Sequence, residues 1–142
     1  MAKSTAMANA LLKLIYNATA WANVADNAAS SPLTNIYVAA HSADPGVAGN
    51  QTTSEIVYTG YARQAVARTT GGWTVTNNVV QPVAAITFPQ SSSGTPVITH
   101  VSTGSAVSGA GVRFHAGPVT PNVTVSVSTT QVIANATTIT ET

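Results

Sequence analysis

The chain has 142 residues, a formal net charge of +1 and no cysteine. That length fits one domain able to bury a core without staples. The missing thiols exclude disulfides, thiol chemistry and zinc–thiolate centres. Charged residues make up 6% of the chain, against about 25% in typical soluble domains, while 44% is hydrophobic. Ser, Thr, Asn and Gln carry the polarity. So neutral a surface is weakly protected against association, which points to contact with other protein. Lys3, Lys13, Arg63, Arg68 and Arg113 are dispersed, unlike the patch or stripe that nucleic acid requires.

Residues 1–22 are predicted to be a helix, capped by Ser4 or Thr5. Met7, Leu11, Leu14, Ile15 and Ala18 fall on one helical face. The apolar stretch Ala10–Tyr16 is too short to span a bilayer and is interrupted by Lys13, so no membrane role is expected. The Asn-x-Thr triplets at Asn17, Asn122 and Asn135 are read as composition rather than glycosylation sites. Residues 23–32 read as a loop, Leu33–Ala40 as a strand, Ala43–Gly46 as a turn and Val47–Ser54 as an exposed loop.

Tyr61–Arg68 alternates, with long polar stems expected to reach out of a sheet. Thr69–Gly72 turns the chain, and Trp73–Thr76 returns as its partner strand. Val79–Phe88 is an apolar run in which Pro82 marks an edge or a strand beginning. Further strands are predicted at Val97–Ser102, at Val112–Ala116 (ended by Gly117-Pro118), at Val123–Ser128 with valines inward, and at Gln131–Ala134 and Ala136–Thr140. Gly104–Gly111 reads as a flexible connection. Short strands at near-regular spacing, with no βαβ rhythm, predict a mostly β protein, an antiparallel β-sandwich with one N-terminal helix, as a single domain over 1–142.

Chemistry is poorly represented. His100 and His115 sit within strands as half-exposed residues, and His41 stands three residues before Asp44 in a turn that the pair could fix. Asp26, Asp44, Glu55 and Glu141 are scattered, with no ligand spacing around His41. No Gly-x-Ser-x-Gly elbow occurs, and Gly109-Ala110-Gly111 lacks the rest of a dinucleotide fingerprint. The expectation is a binding protein, not an enzyme, with no cofactor or metal. Arg63, Arg68 and Arg113 are candidate partner-binding residues, since an arginine fork can meet a carboxylate bidentately. Thr138, Ile139 and Thr140 form an uncharged terminal β-prone segment that a partner strand could extend.

Met1–Ser4 through Trp21, Ile36–Ala39 with Ser42–Gly46, and Tyr58–Arg63 through Arg68 resemble small structural proteins of tailed bacteriophages, in particular head cement (decoration) proteins such as those of Bordetella phages. Similar segments occur in phage proteins labelled as tail-fibre components. The cement resemblance implies a jelly-roll β-sandwich and a homo-oligomer, a dimer, on the outer surface of the head. Its partner would be the major capsid protein, and it would clamp neighbouring capsomers. The alternative is a tail-fibre or receptor-binding module. Receptor binding would call for exposed aromatic residues in loops; Ser91–Pro96 and Gly104–Gly111 hold none, which favours the lattice role.

Overall fold

The computed structural model describes residues 3–21, 23–25 and 31–141. Met1, Ala2 and Ala22 of the predicted helix, and Asp26 with the middle of the following loop, lie outside the described residues. The protein is mostly β, with antiparallel sheets and one N-terminal helix. It divides into two compact units. One comprises Met1–Asn35, Val66–Ala85 and Ala134–Thr142, the other Ile36–Ala65 and Ile86–Ile133.

In the first unit, helix α1 (Thr5–Asn17) begins where Ser4 Oγ accepts the Met7 amide at 3.2 Å and stops at Ala18 in the left-handed region. The buried stripe is Ala8, Leu12 and Tyr16, one position round from the predicted Met7–Leu11–Leu14–Ile15–Ala18 face. Met7 is left 42% exposed. Tyr16 decides the rotation: its ring meets Trp73 edge-on, with centroids 4.9 Å apart. Full burial of Leu12 and Tyr16 contributes about 1.5–3 kcal/mol per side chain. The helix packs on β3 (Trp73–Thr76) and β4 (Val79–Pro82) of its own chain.

Trp73–Thr76 does not return against the preceding strand, as the sequence suggested. It forms a hairpin with β4, with Thr76 opposite Val79 and Trp73 opposite Pro82. Asn77 adopts a positive φ of 54°, which suits a two-residue connection. Strand β9 (Ile139–Thr140) completes the order β3-β4-β9. Pro82 ends β4 rather than beginning it. It is tolerated in this middle strand because β9 covers only Val79 and Val80, leaving β4 an edge at the proline.

In the second unit, β1 (Asn35–His41), β6 (Val97–Gly104) and β7 (Arg113–Thr124) lie side by side in the sheet order β2-β1-β6-β7, with β2 spanning Gln64–Ala67. Strand β1 places Tyr37 opposite Gly104 and His41 opposite His100. Gly117-Pro118 does not end β7. The strand runs through it, with Pro118 opposite His100 and a register shift between Ile98 and His100. An edge strand admits proline because the missing N–H can face away from the ladder. β7 stops before the predicted Val123–Ser128 alternation is complete: Val125 is buried, but Val127 is exposed. Strands β5 (Ile86–Phe88) and β8 (Gln131–Ile133) pair separately. The core of this unit holds Ile36, Val38, Ile56, Tyr58, Phe88, Ile98 and Val125.

Candidate functional site

The second unit carries a cluster of buried polar side chains that fixes two loops, residues 42–54 and 105–112. The first loop shapes itself locally. Asp44 Oδ1 accepts the Gly46 amide at 2.8 Å, and Asn50 Oδ1 accepts the Thr52 amide at 2.9 Å. These are side-chain-to-backbone turns of the kind Asp and Asn favour. The Asp44 carboxylate therefore turns the chain without His41.

The second turn aims Gln51 inward, where it is fully buried. Its Oε1 accepts the Ala106 amide at 2.9 Å, its Nε2 donates to Tyr37 O at 3.4 Å, and its main-chain amide donates to Ala110 O at 2.8 Å. Gly104 and Gly111 make the space, since a Cβ at either would overlap the Gln51 amide.

Arg63 is only 6% exposed. The reading of its stem as reaching out of the sheet is corrected here: strand structure begins only at Gln64, and the guanidinium turns inward. It forms a fork on Glu55, with Nε to Oε1 and Nη2 to Oε2 both 2.7 Å. It also donates to Ala106 O at 2.9 Å and Gly109 O at 2.8 Å. Four donor contacts of a five-donor group are thus made, two of them to the second loop. Glu55 raises the arginine's affinity for its proton still further. Tyr61 Oη donates to Glu55 at 2.9 Å and accepts the Ala40 amide at 3.0 Å, and burial pushes its phenol strongly upward.

His41 is fully buried at the end of β1. Its Nδ1 lies 2.8 Å from Thr53 O and its Nε2 2.7 Å from Ser102 Oγ. A carbonyl only accepts, so Nδ1 carries the hydrogen, and neutral Nε2 accepts from the serine hydroxyl. Burial lowers the His41 pKa below 6.5, opposed by the Thr53 carbonyl and Glu55 and reinforced by Arg113 and Arg63. Both members of this Ser–His pair are buried, and the Glu55 carboxylate is engaged by Arg63 and Tyr61. The pair ties the first loop to β6.

Arg113 holds the tip of the first loop, with Nε 3.2 Å from Gly49 O and Nη2 bonded to Gly46 O. Arg68 belongs to the other unit. Its guanidinium donates to Leu14 O at 2.5 Å, Ile15 O at 2.6 Å and Leu33 O at 3.1 Å. Helix α1 has no basic residue in its last turn, so Arg68 brings a cation from a distant point in sequence to its carbonyl end. Ile139 and Thr140 pair with Val80 and Val79 of their own chain, while Thr138 is exposed beside them. The structure therefore brings Arg63 and Arg113 together on one loop system, while Arg68 and the terminal segment belong to the other unit.

Sequence reasoning missed Gln51, Glu55 and Tyr61. It also read Gly104–Gly111 as a flexible connection, whereas Arg63 and Gln51 pin its backbone at Ala106, Gly109 and Ala110. The available signal was the pair Gly104 and Gly111, which marks a close approach.

Among the described residues no three His, Asp or Glu side chains are grouped to hold a metal ion. The arginines and buried amides hold loops whose exposed side chains are small and, Asp44 apart, uncharged. Fold and site together define a β-rich protein whose loops are held from within.

A family model described as podophage GP4 fiber I protein gp80 matches residues 2–140, and the chain belongs to that family. It is a phage structural protein. No protein of the curated set matches it. The resemblance to head cement proteins carries over only as membership among phage structural proteins.

Proposed function

We propose that this protein is a structural component of a podophage fibre, built into the virion by protein–protein contact. The observation that carries this reading is the fibre-family match along residues 2–140. The surface suits assembly. Charge is sparse, and all eight aromatic residues are buried or half-buried, so the exposed surface is built of Val, Ala, Ser, Thr and Asn rather than rings that stack on sugars. Within the fibre, the role is thus the shaft or its attachment rather than a sugar-binding tip. The mechanism is passive: modest contacts repeated by symmetry gain avidity.

The test is immunogold electron microscopy of intact particles, with antibody raised against the recombinant chain. Label confined to the tail fibres supports the proposal. Label covering the head in a regular array would assign the protein to the capsid exterior and its major capsid protein instead. Unlabelled particles that also lack the protein by mass spectrometry would remove it from the virion.

A further inference from the structure

We infer that His41 is an acid-operated catch: its protonation releases the loop of residues 42–54 from the sheet while β1 and β6 stay paired.

The hydrogen bonds set the catch. Both ring nitrogens of His41 are engaged, Nδ1 by Thr53 O on the loop and Nε2 by Ser102 Oγ on β6. The neutral ring fits both partners, because Nε2 accepts the serine's hydrogen. A proton on Nε2 sets two donors against each other at 2.7 Å. The buried Ser102 hydroxyl must then turn away and lose its acceptor.

The surrounding groups do not offset the new charge. On one side of His41 its bridge partner is Glu55, whose carboxylate is already bound by Arg63 and Tyr61. On the other side its strand partner is His100, a half-buried second imidazole, and Pro118 of β7 follows, uncharged. Arg63 and Arg113 face the ring as cations. On the loop itself, Asp44 is exposed and holds the Gly46 amide. An imidazolium at this position is buried with two cations against one shared carboxylate. Burial is the main cause that keeps the ring's pKa below 6.5, so acid favours an arrangement that brings the ring to water.

An open loop is the nearest such arrangement. Residues 42–54 take their shape from their own Asp44 and Asn50 turns. They meet the rest of the unit through separate bonds: Thr53 O to His41, Gln51 to Tyr37, Ala106 and Ala110, and Gly46 and Gly49 to Arg113. Strands β1 and β6, by contrast, share a continuous ladder from Tyr37 to His41. Segments held by scattered bonds open at lower free energy than ladders do. Opening withdraws Gln51 from the second loop, but Arg63 keeps the Ala106 and Gly109 carbonyls, so the release is confined to the first loop.

The test is hydrogen exchange on the full chain at pH 7.5 and 5.0, expressed as protection factors so that the intrinsic pH dependence of exchange cancels. The Gln51 and Ala106 amides, bonded to Ala110 O and Gln51 Oε1, are expected to lose protection by about tenfold at pH 5.0. They should stay below the protection of the β6 amides at both pH values. His41→Gln should abolish the loss. Protection equal to that of β6 would mean that the loop opens only when the unit unfolds, and would overturn the inference. Unchanged protection in wild type would also overturn it, as would a loss that persists in His41→Gln, which assigns the proton to His100 or another group. Should His41→Gln fail to fold, wild type decides by proton NMR: the His41 ring and the loop amides must titrate with one midpoint, and separate midpoints refute the catch.

Discussion

Glu55 and Arg63 stand eight residues apart and meet as a two-pronged ion pair, with both contacts at 2.7 Å and side chains 15% and 2% exposed. Breaking a buried pair by removing one partner strands the other charge away from water, at about 3–5 kcal/mol. Arg63→Met and Glu55→Gln are each expected to lower unfolding free energy by about that amount. The double variant should lose less than the sum, because no unpaired charge remains. Urea denaturation of the four proteins in a double-mutant cycle measures the coupling. Additive losses would mean that the fork does not act as a unit.

Gly111 has a positive φ of 48°, and a Cβ there would strike Gln51 Oε1. Gly111→Ala is therefore expected to displace Gln51 and release the 105–112 loop, and Gln51→Ala should release it by removing the same bonds. Hydrogen exchange reads this directly. The Ala106 amide, protected in wild type by Gln51 Oε1, should exchange at least tenfold faster in both variants, while amides of β3 and β4 keep their protection.

Arg68 supplies the cation that the last turn of α1 lacks. Arg68→Ala should cost about 1.5–3 kcal/mol, the range for hydrogen bonds to charged groups. Arg68→Lys should recover only part, since an ammonium has no planar fork. Removing the other cap, by Ser4→Ala, should cost about 0.5–2 kcal/mol. Thermal unfolding followed by circular dichroism compares the three variants.

His41 makes stability depend on pH. Its folded pKa lies below the unfolded 6.5 because burial disfavours the imidazolium. Above pH 6.5 both states are neutral and this residue contributes no slope. Between 6.5 and the folded value only the unfolded chain takes up the proton, so stability falls with acidification by up to about 1.4 kcal/mol per pH unit. Unfolding free energies at pH 7.5, 6.5, 5.5 and 5.0 should show the decline in wild type. His41→Gln should flatten it over that window. An equal slope in the variant would assign the acid sensitivity elsewhere.

Particular elements show what could be read without coordinates. The Ser4 cap, the α-helix behind it, the Asp44–Gly46 turn and the Thr69–Gly72 turn were legible because a few neighbouring residues create each signal. The helix stripe was legible only to within one position. Met7 and Leu11 compete with Ala8 and Leu12 on periodicity alone, and Tyr16 wins through Trp73, fifty-seven residues away. The continuation of β7 through Gly117-Pro118 could not be read either, because proline's tolerance depends on whether the strand is an edge.

The arginines mark the same boundary. Sequence showed that Arg63, Arg68 and Arg113 are scarce charges in a neutral chain and that their forks seek oxygen acceptors. It did not show which oxygens. Carbonyls become acceptors for a side chain only where the fold brings them within its reach, as at Ala106 and Gly109 for Arg63, Gly46 and Gly49 for Arg113, and Leu14, Ile15 and Leu33 for Arg68. By itself the sequence determined a cysteine-free, weakly charged, antiparallel β protein with one capped helix, since composition and short-range periodicity suffice for that. Only the tertiary structure decided which strands pair, which helix face is buried, and that the arginines hold loops in place. Those outcomes depend on groups distant in sequence meeting where water is excluded.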